Sequence, residues 1–173
     1  IEQADEAIKL FKYEKELPYR LMAVPQGNNL AEWKYCAHAL LEHPEVNAIG
    51  ISKFLTMKTG DPTIRYKAAE FLDNYFRSKG RYDIEVHLLG MTEQPNEIKR
   101  IADSFSFVRG CDSAYGYICT QAGIEINENT ERPDGEIDFI NGIGYDTLES
   151  NLKALEVGCG VTNNQYNQTW DNH

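Results

Sequence analysis

Along the first 123 residues, runs of continuous apolar side chains alternate with stretches where apolar residues recur every three to four positions. The first pattern is that of a buried strand, the second that of a helix turning one face to a core. Ala4, Ala7, Ile8, Leu10 and Phe11 predict an amphipathic helix over Glu2–Lys15, ended before Pro18. Tyr19–Val24 reads as a strand running into Pro25-Gln26-Gly27. Asn28 or Asn29 caps the next helix, whose buried stripe is Leu30, Trp33, Ala37, Leu40 and Leu41, before Pro44. Val46–Ile51 is the second strand. A loop with the turn signal Gly60-Asp61-Pro62 leads to a long helix over Thr63–Ser78, with Ile64, Ala68, Phe71, Leu72 and Tyr75 on one side and Gly80 as its C-cap. Ile84–Leu89 is the third strand, stopping at Gly90. Pro95 suits a first helical turn, Asn96 or Thr92 can cap it, and Ile98, Ile101, Ala102 and Phe105 fall on one face. The fourth strand is expected over Asp112–Cys119.

This alternation is the pattern of βαβ units and predicts an α/β fold with four parallel strands, adjacent in chain order. Four such units are half of an eight-stranded (β/α) barrel of the TIM type. An open half leaves unpaired parallel edges, so a partner chain or a preceding segment is expected to complete it. The chain starts at Ile1 rather than an initiator methionine, which also points to a processed start or an upstream segment. After Gly123 the pattern breaks. Asn127–Gly135 is polar and turn-rich, Ile137–Ile140 is a short strand candidate, and Asn141–Gly144 is a turn. Asp146 caps a helix over Thr147–Glu156, and Gly158 and Gly160 end it. The expected organisation is a barrel-like portion over 1–123, a small irregular C-terminal extension over 124–160, and a flexible tail over 161–173.

Composition narrows the function classes. A hydrophobic fraction of 42% in 173 residues supports one domain with a real core. No apolar run approaches the roughly 20 residues that span a bilayer, so no membrane partner is expected. The net charge of −10 argues against a broad phosphate-binding surface. It leaves room for a local groove at Lys99, Arg100 and Arg109, or at Arg77, Lys79 and Arg81, which read equally as solvated helix ends. Cys36, Cys111, Cys119 and Cys159 fit no zinc spacing, and free thiols in a reducing cytoplasm are the expected state. No metal and no cofactor is expected.

Two positions carry candidate chemistry. In parallel α/β architectures the strands' C-terminal ends face the active site. A carboxylate there, Asp112, can attack an anomeric carbon and form a glycosyl-enzyme intermediate. The competing role is a turn or cap. Gln26, after the first strand, offers both a donor and an acceptor with which to read a base edge; the competing role is a turn glutamine exposed to water. His38, His43 and His87 read as ordinary core or surface histidines.

His87-Leu88-Leu89-Gly90, the helix start Pro95-Asn96-Glu97-Ile98, and Gly110-Cys111-Asp112-Ser113-Ala114 before an aromatic run together resemble the tRNA-guanine transglycosylases and their DNA-modifying relatives. The resemblance covers roughly residues 5–123, the later half of the barrel. It implies Asp112 as the nucleophile, in a family segment of the form Phe-Asp-Ser-Ala where this chain has Cys111 for the Phe. It implies that Gln26 and Gly27 bind a guanine or 7-deazaguanine base, and that the Gly50 backbone approaches that base. Ile51 departs from the family's second glycine, an Asp-Ser-Gly-Gly stretch with a second catalytic aspartate has no counterpart here, and the family's cysteine-rich zinc site does not either. The implied activity is a pentosyltransferase reaction that exchanges guanine for a free deazaguanine base in tRNA or DNA. Gln26, Gly50, Gly90 and Asp112 would line one cleft, with Tyr115 or Tyr117 as a stacking surface. Asp61 and Glu93 are the substitutes for the absent aspartate. The alternative is a non-catalytic structural or binding protein that keeps the fold.

Overall fold

The computed structural model describes residues 2–13, 20–91, 96–127, 130–133, 138 and 142–158. Among them are seven helices and four strands: α1 (Glu2–Tyr13), β1 (Leu21–Ala23), α2 (Leu30–Leu41), β2 (Val46–Ser52), α3 (Phe54–Thr59), α4 (Ile64–Lys79), β3 (Glu85–Leu89), α5 (Asn96–Ser104), β4 (Val108–Asp112), α6 (Tyr115–Gln121) and α7 (Tyr145–Gly158). The strands form one sheet in the order β1-β2-β3-β4, every pair parallel. The fold is therefore α/β, with the four strands adjacent in chain order as the periodicity predicts. No described helix is long and apolar enough to cross a membrane.

The chain divides into two compact units, Ile1–Gly90 with Phe105–Asp112, and Met91–Ser104 with Ser113–His173. This division runs through the portion 1–123 named from sequence.

In the first unit the sheet's two faces differ. Ile49, Ile51, Val86 and Leu88 alternate along β2 and β3 on one face and are almost fully buried. Trp33, Ala37, Leu40 and Leu41 of α2, and Ala68, Ala69, Leu72 and Phe76 of α4, complete that core. Asn29 caps α2, its side chain accepting from the Glu32 N–H at 2.9 Å while Glu32 reaches back to Asn28. Gly80, at φ 67°, closes α4 in the left-handed conformation that a side chain would strain. Phe76, Phe105 and Phe107 stack edge-on and tilted, which fixes the entry into β4.

Two local expectations are corrected. The loop after β2 contains a short helix, α3, whose six residues are too few to show a period. The fourth strand runs over Val108–Asp112, not Asp112–Cys119. Residues 115–121 are helical because Tyr115, Ile118 and Cys119 bury one face at helical spacing, a pattern that an aromatic and β-branched run hides.

In the second unit α6 packs against α7 at Gly116, where an added Cβ would sit 3.2 Å from Leu152 Cδ2. Buried Asn151 of α7 holds the segment after α6: its amide oxygen accepts from Ile126 N–H at 2.8 Å, and its nitrogen donates to Ile124 O and Thr120 Oγ1. The α7 helix fulfils the Thr147–Glu156 expectation, with Asp146 inside its first turn. The strand candidate 137–140 falls, apart from Asp138, outside the described residues, as do Thr92, Glu93, Pro95, Cys159 and the tail.

Candidate functional site

Asp112 is the last residue of β4, so its carboxylate stands at the C-terminal end of a parallel strand. The side chain is largely exposed. Its Oδ1 takes two contacts: His87 Nε2 of β3 at 3.1 Å and the Gly90 N–H at 3.3 Å. Strand register explains the pair. His87 lies opposite Gly110 and Leu89 opposite Asp112, so a ring leaning along β3 reaches diagonally to the carboxylate.

Gly90 follows β3 with φ 75°, a conformation that favours glycine, and an added Cβ would meet Lys53 Cδ at 2.8 Å. Its carbonyl accepts from Arg65 Nη1 of α4 at 2.7 Å. Arg65 is fully buried, and a buried guanidinium is costly unless its donors are used. Gly90 is thus held by Arg65 through its carbonyl and offered to Asp112 through its N–H.

The face of the sheet opposite the helix-covered core carries Met22, Ala48, Glu85, His87, Leu89 and Asp112. With Val86 and Arg109 these residues line a shallow hollow of about 350 Å³. Glu85 pairs with Arg20 and lies 3.9 Å from the Arg109 guanidinium. The hollow therefore has a His–carboxylate end and an arginine–carboxylate end.

The other expected site residues are placed as follows. Gln26 is exposed after β1, and its amide nitrogen donates to Val24 O at 3.2 Å. Gly27 sits tightly on the start of α2, where an added Cβ would lie 2.4 Å from Trp33 N, so packing alone demands this glycine. Gly50 is buried in β2, in register with His87, and the side chains of Leu89 and Val24 cover it. Tyr115 belongs to the second unit. It is buried, and its hydroxyl donates to Thr130 O. Burial pushes that phenol well above its ordinary range, and its ring offers no open face for stacking. Tyr117 donates to Asp138 O at 2.9 Å. Asp61 is engaged at the start of α4: it accepts from Lys67 Nζ at 2.7 Å and from the Thr63 N–H and hydroxyl. Those bonds, the lysine's first, bring its carboxyl down to about 2.

The basic clusters are likewise engaged. Arg77 pairs with Asp73, Lys79 with Glu42, Arg81 with Asp83 and Lys99 with Asp103. Cys36 and Cys119 are free thiols. Among the described residues no three histidine, cysteine or acidic side chains gather as a metal ion would require.

Sequence reasoning missed His87, Glu85, Arg20 and Met22. The usable signal was the period of two along Glu85-Val86-His87-Leu88-Leu89, which puts Glu85, His87 and Leu89 on one face. It went unread because the fourth strand was placed too late to bring Gly110 and Asp112 opposite that face. No protein-family model, curated protein or solved structure matches the chain.

Proposed function

We propose that this chain carries the nucleophile half of a base-exchange transglycosylase, built on the later strands of a (β/α) barrel, with Asp112 as the attacking carboxylate. The observation that supports it most is an exposed aspartate ending a parallel strand and held by its neighbours on the open face of the sheet. A carboxylate oxygen attacks C1′ of the target nucleoside. The C1′–N9 bond breaks, its electron pair leaves with guanine, and a general acid supplies the proton. A free 7-deazaguanine then attacks C1′ through its own N9, displaces the carboxylate, and gives its proton to the same group. The target base must leave the duplex or loop stack to reach such a site.

That acid–base group is expected from a partner chain or another segment. Among the described carboxylates, Asp61 is bound by Lys67 and Thr63, and Glu85 by Arg20; Glu93, the other substitute named from sequence, lies outside the described residues. The second reading is a non-catalytic scaffold. It is favoured by the covered Gly50 and by the Gln26 amide turned back on Val24.

The test uses the protein at its full natural length, incubated with tRNA or DNA carrying labelled guanine and with free deazaguanine. Label release that Asp112→Asn lowers at least ~10³-fold supports exchange, the scale expected for loss of a covalent nucleophile. No release from the unmodified protein on either polymer leaves the scaffold as the account.

A further inference from the structure

Among the described residues, both hydrogen-bond contacts of Asp112 fall on the same carboxylate oxygen. His87 Nε2 and the Gly90 N–H meet at Oδ1, and neither touches Oδ2. A carboxylate held by one oxygen is biased about its last torsion, so the other oxygen has a preferred direction.

His87 is in turn held where it can do this. Gly110 lies opposite it across the strand pair. An added Cβ on Gly110 would lie 3.0 Å from His87 Nδ1 and 3.2 Å from its Cε1. The imidazole therefore passes close over Gly110, and its far nitrogen reaches the carboxylate of residue 112. A side chain at 110 would displace the ring by a few tenths of an ångström. Bare backbone at 110, the ring at 87 and the carboxylate at 112 are thus neighbours across β3 and β4.

We propose that His87 is a positioning residue that clamps Oδ1 of Asp112 and presents Oδ2 as the reacting oxygen, with Gly110 providing the bed for its ring. The inference deepens the base-exchange reading and rests on it. His87 donates through Nε2–H, so the ring is the Nε2-protonated tautomer, or the imidazolium, whenever the clamp is closed. It does not itself touch the sugar carbon. Its effect is orientational: a nucleophile misplaced by an ångström costs on the order of 100-fold. An amide of similar reach, such as glutamine, can replace the donor; an aliphatic side chain cannot.

Two arms test it, both on the full-length protein. In the exchange assay, His87→Ala is expected to lower kcat about 100-fold with KM within about twofold, because binding does not use the ring. His87→Gln should recover at least about tenfold of that loss, and Gly110→Ala should lower kcat by a smaller factor. An alanine variant with the parent's kcat, or a loss equally severe in His87→Gln, overturns the proposal. The second arm needs no turnover: imidazole-¹⁵N spectra of the labelled protein. The His87 Nε2 resonance should move on Asp112→Ala and stay in place on Glu85→Gln, which leaves the clamp intact. A resonance indifferent to Asp112 overturns the clamp whatever the assay gives. A resonance that responds, in a protein that exchanges no base, upholds the clamp and removes the transglycosylase reading instead.

Discussion

The sheet of the first unit has two faces made from the same strands, residue by residue, and they are built on opposite principles. One face carries Ile49, Ile51, Val86 and Leu88, all essentially without solvent exposure. The other carries Glu85 and His87 between them in β3, with Met22, Leu89 and Asp112 beside them, and lines a hollow. Parallel sheets ordinarily bury both faces under helices and read as continuous apolar runs. Here β3 alternates, Glu85-Val86-His87-Leu88-Leu89, and burial alternates with it. One face holds the fold together; the other is free to hold chemistry. Buried and hollow-lining positions are separated by a single step along the strand.

That separation can be broken most forcefully from the covered side. Leu88→Ala should destabilise the first unit by about 2–5 kcal/mol, since Leu88 is fully buried and the helices above it cannot collapse into the space. A chemical-denaturation midpoint measures this. A cost below about 1 kcal/mol would mean that the face is not the close-packed side.

Gly50→Ala probes the boundary between the two principles. The new methyl would stand 2.7 Å from Leu89 Cδ1 and 3.1 Å from Val24 Cγ2 on the open face. Leu89 is a flexible side chain beside a hollow and can turn away. The expected cost is therefore about 1 kcal/mol, at the low end of overpacking penalties. The same denaturation experiment reads it.

The smallest effect belongs to the open face itself. Glu85→Gln removes the charge paired with Arg20 and facing Arg109. Partly exposed pairs contribute about 0.2–1 kcal/mol, and salt screens them. The loss should be at most about 1 kcal/mol at low ionic strength and should vanish near 1 M salt. A salt-independent loss of several kcal/mol would place Glu85 with the core.

The fold was largely legible because its elements announce themselves by period. The stripe of α2, the stripe of α4 with Gly80 at its end, and the apolar runs of β2 and β3 each carry one clear repeat. Failures came where the repeat is too short or is overlaid by other preferences. Six residues of α3 complete fewer than two turns. Tyr115-Gly116-Tyr117-Ile118-Cys119 has the composition of a strand, and only packing against α7 makes it a helix. That error moved β4 and concealed the site. Asp112 was picked out as a strand-end carboxylate, and Gly90 beside it by its turn. His87 was dismissed because a single histidine in a strand says nothing until its cross-strand neighbours are known. Gly27 looked like a ligand-contacting glycine, and the start of α2 supplies a steric reason no local pattern contains.

The plain order of the strands has a consequence for how the molecule is made. Because β1, β2, β3 and β4 lie in the sheet as they lie in the chain, each strand can dock on a neighbour already synthesised. No strand waits for a distant partner, and closing each loop costs little more than closing the one before. The pairing of β4 with β3 is the last of these steps, and it is the step that brings Asp112 to His87. A growing chain therefore presents β1, β2 and β3, with α2 and α4, before β4 emerges to set Asp112 beside His87.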